Sequence, residues 1–394
     1  MMQVIEPKYH FPARSTLTNS ELPKLYAETQ RAVTDSLKEA IAVSITTDGW
    51  TSRATQGYLT VTCHFIDNNW EFVNYVLQTR VLEQQHTGKN IGQVIKECTE
   101  EWNISQKVQS IVTDNAANMT VAVKKAEIDV HVGCFAHTLN LAAKRGLKIY
   151  EEAGVLEKLR QIASYFHRST TASAVFKHKQ ALCNLPQRRL KIDVSTRWNS
   201  TYDMVVRYIE QREAISATLH DVKLRKGSMK NVSEDDLNEL EILCTVLKPL
   251  KDATTMMCEE KSPTVSLIMP MISKLTRDTQ SIVVENETVK RCQKAVQTDL
   301  TKRYSNDKTR EFLHCATFLD PRFKSLSCCS PDEKQCIQDQ VITKVTEIIR
   351  NKTAAQSQTH QQSAPPTCEE PPKKEQKIDA MTSFFGSFFE AAVQ

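Results

Sequence analysis

The feature that most constrains this chain is a change of hydrophobic period near residue 87. Before it, three runs alternate apolar and polar residues: "AVSITTD" from Ala42, "GYLTVTCHFID" from Gly57 and "WEFVNYVLQTRVLE" from Trp70. Alternation sends successive side chains to opposite faces, so Leu59, Val61, Cys63 and Phe65 share one side of a strand. Short turns separate the runs, and "DNNW" suits one because Asn tolerates positive φ. An antiparallel meander is the expected result. After the change, "TGKNIGQVIKECTEEW" spaces Ile91, Val94, Ile95 and Cys98 as one helix face, with Thr87 placed to cap it. Two short apolar runs, "VQSIVTD" and "DVHVGCF", alternate with a helix over "NAANMTVAVKKAE" and one long helix from Ala136 to Ser169. The order β-β-β-α-β-α-β-α predicts an α/β domain, a mixed sheet with helices packed against it, over residues 41–200.

Strands stop beyond about residue 200. "TYDMVVRYIEQREAISATLHD" is amphipathic, Ser233 stands three residues before Asp236, and Ser330, Pro331 and Glu333 read as a capped helix start. Residues 201–351 are therefore expected to form an all-α domain. Residues 1–40 read as a helical lead-in, with Leu25, Ala32, Val33 and Leu37 on one face and Pro23 in its first turn. Residues 352–380 are polar and Pro-rich, the composition of a disordered linker. Residues 381–394, with "SFFGSFF", read as the start of a C-terminal region.

A chain of 394 residues has room for two or three such domains. No apolar run is long enough to span a membrane, and the N-terminal stretch has no signal-peptide core, which points to the cytosol or nucleus. The 12 cysteines contain no Cys-x-x-Cys pair and read as free thiols. Cys134 and His137 supply two of the four ligands that a structural zinc needs, so no structural zinc is expected within the chain. A net charge of +4 permits nucleic-acid contact without requiring it. The basic clusters at Arg188–Lys191 and Ala143–Lys148 read first as solvated helix faces.

Two apolar runs end in Thr-Asp: "SITTDGWTSR" at Asp48 and "QSIVTDNAAN" at Asp114. One reading is turn chemistry, with Asp48 opening a turn and Asp114 capping a helix. The other is a metal site. In open α/β sheets, functional groups collect at strand ends, and two carboxylates there would hold Mg2+ or Mn2+ beside a phosphate. Trp50 reads as a core residue.

"TTDGWTSRATQGYL", "SIVTDNAANM", "GCFAHTLNL", "DVSTRWNSTYDM" and "ATFLDPRFK", in that order, resemble the hAT (hobo, Activator, Tam3) superfamily of DNA transposases, and most of all the domesticated zinc finger BED domain-containing proteins. The resemblance covers roughly residues 1–350. It implies an RNase H-like fold interrupted by a large all-helical insertion domain. It places the first two acids of an Asp-Asp-Glu triad at Asp48 and Asp114. It also sets Cys134 and His137 near the active site, and Arg197 and Trp198 where the family stacks a Trp on a flipped base. The chain departs from the family in two ways. No third acid is assignable, since Glu259 and Glu260 fall in the helical insertion and Glu390 stands near the chain end. The N-terminal BED finger and the C-terminal dimerisation motifs are also missing. The expected function is a transposase-derived nuclear protein, inactive as a transposase, that retains DNA or chromatin association or a transcription-regulatory role. The alternatives are an active metal-dependent transposase completed by a further segment, and a protein-interaction scaffold working through its helical half without DNA.

Overall fold

The computed structural model describes residues 12–224, 231–258, 263–282 and 286–356. Its contacts divide the chain into two compact units, Met1–Gly133 and Cys134–Gln394. Residues 134–200, expected in the α/β domain, therefore belong to the second unit.

In the first unit, a short turn at Arg14–Thr16 and a wider π-helical turn at Leu17–Glu21 lead into α1, Leu22–Glu39. Only Leu37 of α1 is buried, and Leu25 stays exposed. The meander follows as β1 (Val43–Thr51), β2 (Gly57–Ile66) and β3 (Phe72–Leu82). Then come α2 (Gly88–Glu101), β4 (Val108–Thr113), α3 (Ala117–Lys125) and β5 (Val130–Gly133). The sheet order is β3-β2-β1-β4-β5. The β1–β2 and β2–β3 pairs are antiparallel, and the β1–β4 and β4–β5 pairs are parallel. This is the mixed sheet that the period change requires, because parallel neighbours need helical crossovers.

One sheet face is apolar. Val43, Ile45, Leu59, Val61, Cys63, Phe65 and Ile111 form a continuous core with Ile91, Ile95 and Cys98 of α2 and Met119, Ala122 and Val123 of α3. Thr87 caps α2 as expected, its side chain accepting from the Asn90 backbone N–H. The two helices approach unusually closely. A Cβ on Gly92 would lie 2.5 Å from the Ala122 carbonyl oxygen, and one on Gly88 would lie 2.5 Å from that of Asn118. The "DNNW" turn forms, but Trp70 takes the positive φ of 61°. The Asp67 carboxylate accepts from the Asn69 and Glu71 backbone N–H groups. That chelation fixes the turn around Asp67 and leaves Trp70 to make the reversal.

The second unit is helical: α4 (Phe135–Glu152), α5 (Val155–Arg168), α6 (Thr170–Leu182), α7 (Trp198–Leu219), α8 (Glu234–Met256), α9 (Ile268–Ser281), α10 (Glu287–Lys302), α11 (Asp307–Leu319) and α12 (Pro331–Gln356). The single long helix expected from Ala136 to Ser169 is two helices. Gly154 sits at φ 76°, a left-handed conformation that ends α4, and α5 restarts at once. Hydrophobic spacing on both sides of the break hid it. Ser233 caps α8 through the Asp236 N–H, and Ser330 and Glu333 form the reciprocal capping box of α12. The last helix runs to Gln356, so the expected linker does not begin at residue 352. The remainder of that linker, the terminal Phe-rich segment, Glu259, Glu260 and Glu390 lie outside the described residues.

Candidate active site

The parallel β1–β4 pairing builds the site. Thr46 is opposite Val112. Two residues further along β1, which continues to Thr51, lies Asp48, and two residues beyond Val112, just past the end of β4 at Thr113, lies Asp114, so the parallel register carries the two aspartates onto adjacent backbones. Adjacent strands run about 4.8 Å apart, and paired positions send side chains to one face. Asp48 stands within β1, opposite Thr60 of β2. It is exposed, and its carboxylate makes no hydrogen bond or ion pair with the described residues. Its sheet face is polar, with Ser44 bonded to Ser110 at 2.8 Å and Thr46 to His64 at 3.2 Å.

Asp114 is the first residue after β4 and is half-buried. Its Oδ1 accepts the Ala116 backbone N–H at 3.1 Å, which closes the turn into α3. The expected helix cap is not formed, because Ala116 is the N-cap residue of α3 and no side chain caps it, and Asp48 opens no turn because β1 runs through it to Thr51; the Asp114 Oδ2 accepts nothing from the described residues. Thr113 bonds the half-buried His131 ring, whose pKa burial lowers against the opposing pull of Asp114.

Asp114 also lines a cleft of about 190 Å³ with Thr47, Trp50, Tyr58, His86 and Asn118. The Trp50 expectation fails here. Trp50 is 47% exposed and stacks on Tyr58, with ring centroids 4.4 Å apart and planes 12° apart. Strand parity explains this: Trp50 shares the face of Asp48, whereas the core takes Val43, Ile45 and Thr47. The His86 ring is able to sit here only because Gly57 has no Cβ to collide with it.

Carboxylates such as these are donors of the kind a hard cation takes, its shell completed by water and a phosphate oxygen. Among the described residues, no group of three or more His, Cys, Asp or Glu side chains is arranged to hold a metal.

The other expected site residues belong to the second unit. Cys134 is the half-buried N-cap residue of α4, and His137 is half-buried in its first turn. Arg197 is exposed at the N-cap of α7. Trp198, expected to be an exposed stacking residue, is only 2% exposed, packs edge-on against Tyr202, and keeps its indole N–H unpaired among the described residues. Asn140, one turn beyond His137, accepts the Trp198 backbone N–H at 3.1 Å and so ties the two motifs together. Asp193 anchors the same segment: Arg160 reaches it at 2.9 and 2.8 Å, and Thr201 donates at 2.9 Å. Burial alone would raise the Asp193 pKa, but those hydrogen bonds hold it below its ordinary value. Asn140 and Asp193 escaped the sequence reading although both stood inside its motifs, because their partners are remote in sequence. The "LDPRF" motif proves to be an anchor too, with Asp320 chelating Arg322 at 2.9 and 2.6 Å and accepting from Ser266 at 2.7 Å. The basic cluster at Arg188–Lys191 is not a helix face but part of the irregular segment between α6 and α7, where Leu190 is buried, Arg188 pairs with Glu210 and Lys191 with Asp203.

Two family models match the chain: the ZBED1 RNase-like domain over residues 46–134 and the ZBED1 RNase-like helical domain over residues 132–246. They meet where the two compact units divide. The chain is 26% identical over 352 residues to zinc finger BED domain-containing protein 4 of Homo sapiens, covering 86% of this chain and 30% of that protein. It is 28% identical over 341 residues to the putative AC transposase of Zea mays, covering 80% of this chain and 41% of that protein. It is 24% identical over 302 residues to the putative transcriptional regulator tpeD of Talaromyces stipitatus, covering 67% of this chain and 35% of that protein. The chain thus spans well under half the length of these curated relatives. The RNase-like models fit the mixed sheet with flanking helices as an RNase H-like fold.

Proposed function

The chain belongs to the hAT-transposase-derived, BED-protein-like group, and from that premise we propose that it is a nuclear, DNA-associated protein with a transcription-regulatory role and no strand-cleaving activity of its own. The observation that supports this reading is the pair Asp48, within β1, and Asp114, just past the end of the parallel neighbour β4. Asp48 and Asp114 would hold one Mg2+ or Mn2+ ion, which neutralises charge at a DNA phosphate. A two-ion clamp on the attacking and leaving oxygens needs more ligands than this pair supplies. In the second unit, Arg197, exposed at the start of α7, is by itself a guanidinium suited to a DNA phosphate. The regulator name of the Talaromyces relative supports the transcriptional part of the reading. Protein partners would dock on the helical unit. No helix of the described residues is long and apolar enough to cross a membrane.

Labelled duplex and single-stranded DNA, incubated with the full chain in Mg2+ or Mn2+, test the proposal. The expected result is binding without strand cleavage. Affinity should fall about tenfold or more between roughly 50 and 200 mM salt, as two or three neutralised phosphates require. Cleavage that Asp48→Asn abolishes would overturn the inactive reading in favour of a transposase. Absence of binding at low salt, or a flat salt response, would remove DNA and leave a protein scaffold.

A further inference from the structure

We propose that Cys328 and Cys329, held sulfur to sulfur in the turn before α12, form a paired-thiol site that a hydroperoxide oxidises to a disulfide between neighbouring residues and a thiol reductant restores. The site belongs to the helical unit and is independent of the DNA reading above.

Three observations converge. First, the two sulfurs lie 3.7 Å apart, close enough for either S–H to donate to the other. Neighbouring side chains on an extended segment point to opposite faces, so this approach belongs to the turn and not to sequence adjacency alone. A relay of backbone bonds builds the turn. The Phe323 N–H donates to the Asp320 carbonyl at 2.9 Å, the Leu326 N–H to the Phe323 carbonyl at 2.8 Å, and the Cys329 N–H to the Leu326 carbonyl at 2.9 Å. Leu326 takes a left-handed φ of 48° while its side chain stays buried, as does that of Phe323. Ser330, directly after the pair, opens the capping box of α12. The thiols are thus clamped between buried anchors on one side and a capped helix start on the other.

Second, the two thiols are reachable and unequal. Both are half-buried. A hydrogen bond from the Cys329 S–H favours the Cys328 thiolate and holds its pKa below the ordinary thiol value, while the same bond pushes Cys329 up. Of the nearby charges, Glu333 opposes that thiolate and Lys334 favours it. Elsewhere in the unit, burial pushes Cys244 and Cys292 up to about 12, which keeps them protonated and inert. One sulfur of the pair is therefore the nucleophile, and the other stands ready to resolve it.

Third, the product is easily reversed. Adjacent Cα atoms stand about 3.8 Å apart across a trans peptide, less than the roughly 4.4–6.8 Å usual across a disulfide. A disulfide closed over one peptide unit is strained, and strained disulfides are the readily reduced ones. That suits a transient modification in a reducing compartment.

The chemistry balances with the peroxide as oxidant. The Cys328 thiolate attacks one peroxide oxygen, the O–O bond breaks, and Cys328 becomes a sulfenic acid. The departing oxygen takes a proton and leaves as water or an alcohol. The Cys329 sulfur then attacks the sulfenic sulfur, the S–O bond breaks, and the hydroxyl leaves as water with the Cys329 proton. Each sulfur gives up one electron and the peroxide accepts both. A dithiol reductant reverses the step by exchange and leaves as its own disulfide.

The test exposes the reduced full chain to limiting hydrogen peroxide, alkylates the remaining thiols in denaturant, and digests with trypsin. Cleavage after Lys324 and Lys334 isolates residues 325–334, whose only cysteines are Cys328 and Cys329. This peptide is expected to become lighter by two hydrogen atoms and to resist alkylation before the peptide carrying the exposed Cys336 changes. Dithiothreitol should return both alkylation sites. The chain unfolded in urea should leave the pair mostly alkylated, since nothing then holds the sulfurs together. Phenylarsine oxide, which bridges two thiols, gives a second readout. It should shield both cysteines in the folded chain, and Cys328→Ser or Cys329→Ser should weaken its capture about a hundredfold, as loss of one of two linked attachments requires. The peroxide arm uses the wild-type chain, so a variant that folds poorly does not spoil it. The proposal is overturned if limiting peroxide consumes other thiols and leaves both of these alkylatable, or if either is found bridged to a cysteine elsewhere in the chain. It is equally overturned if the unfolded chain closes the pair as readily as the folded one, or if phenylarsine oxide shields neither cysteine.

Discussion

Replacing Asp193 by alanine is expected to destabilise the helical unit by about 3 kcal/mol, because it strands the Arg160 guanidinium against a buried surface. The Asp193 side chain is only 4% exposed and Arg160 26%. Arg160 retains Glu151 at 3.1 Å, so the loss falls at the lower end of what breaking a buried pair costs. For a unit of this size, the melting temperature should drop by about 6–12 °C. Acid should shrink the difference. Asp193 has a folded-state pKa below its unfolded one. Its contribution is therefore fully present above the unfolded carboxylate value, about 3.9, and is lost as pH falls through the lower folded value. Wild type and Asp193→Ala should melt far apart at pH 7 and converge as pH falls below the unfolded carboxylate value. The double variant Arg160→Met with Asp193→Leu, which removes both charges, should be more stable than Asp193→Ala. If Asp193→Ala melts within about 1 °C of wild type at pH 7, the pair is not the anchor of the Arg197–Trp198 segment.

The second large effect is a reversal of sign at Gly92. In an exposed helix interior, Gly→Ala stabilises by about 1 kcal/mol. Here the new Cβ would meet the Ala122 carbonyl oxygen at 2.5 Å and the Lys125 Cβ at 2.7 Å. The Ala122 carbonyl is fixed in turn, since it accepts the Ala126 N–H at 2.9 Å. Backbone cannot move aside as a flexible side chain does, so α2 and α3 must separate along the core that they share. Gly92→Ala is expected to cost about 2 kcal/mol, within the range of an overpacked core, and denaturant unfolding of the chain measures it. Gly146→Ala, in α4, should cost less, because its nearest obstacles are the Cys292 and Val296 side chains at 2.8 and 2.9 Å. A stabilised Gly92→Ala protein would mean that the two helices are not held at that distance.

Much of the fold could be read from local signals. The period of two in β2, the capping pairs at Thr87, Ser233 and Ser330, and the alternation of short apolar runs with helical ones are all set within a few residues. Such signals survive in any tertiary context that keeps the element. The failures share a cause. Residue type and neighbourhood put Trp50 inside and Trp198 outside, and the structure reverses both. An aromatic residue is equally at home on either face of a strand or helix. Parity relative to a distant core settled Trp50, and packing beneath α7 settled Trp198. The Gly154 break was missed because the apolar spacing on its two sides fits one continuous helix.

The candidate site divides in the same way. Sequence alone determined that two apolar runs lead into Thr-Asp, that a helix follows the second, and that the motifs stand in their order; it put the first strand's end at Asp48, whereas pairing with β2 carries β1 on to Thr51. Each is a statement about neighbours along the chain. Only the tertiary structure decided that β1 and β4 are adjacent and parallel, which carries Asp48 and Asp114 onto adjacent backbones across 66 residues of sequence. It alone paired Arg160 with Asp193, and it alone left Trp50 open beside Asp48. Register between strands and pairing between distant side chains arise when separate elements bury a common surface, and no local pattern encodes which surface that will be.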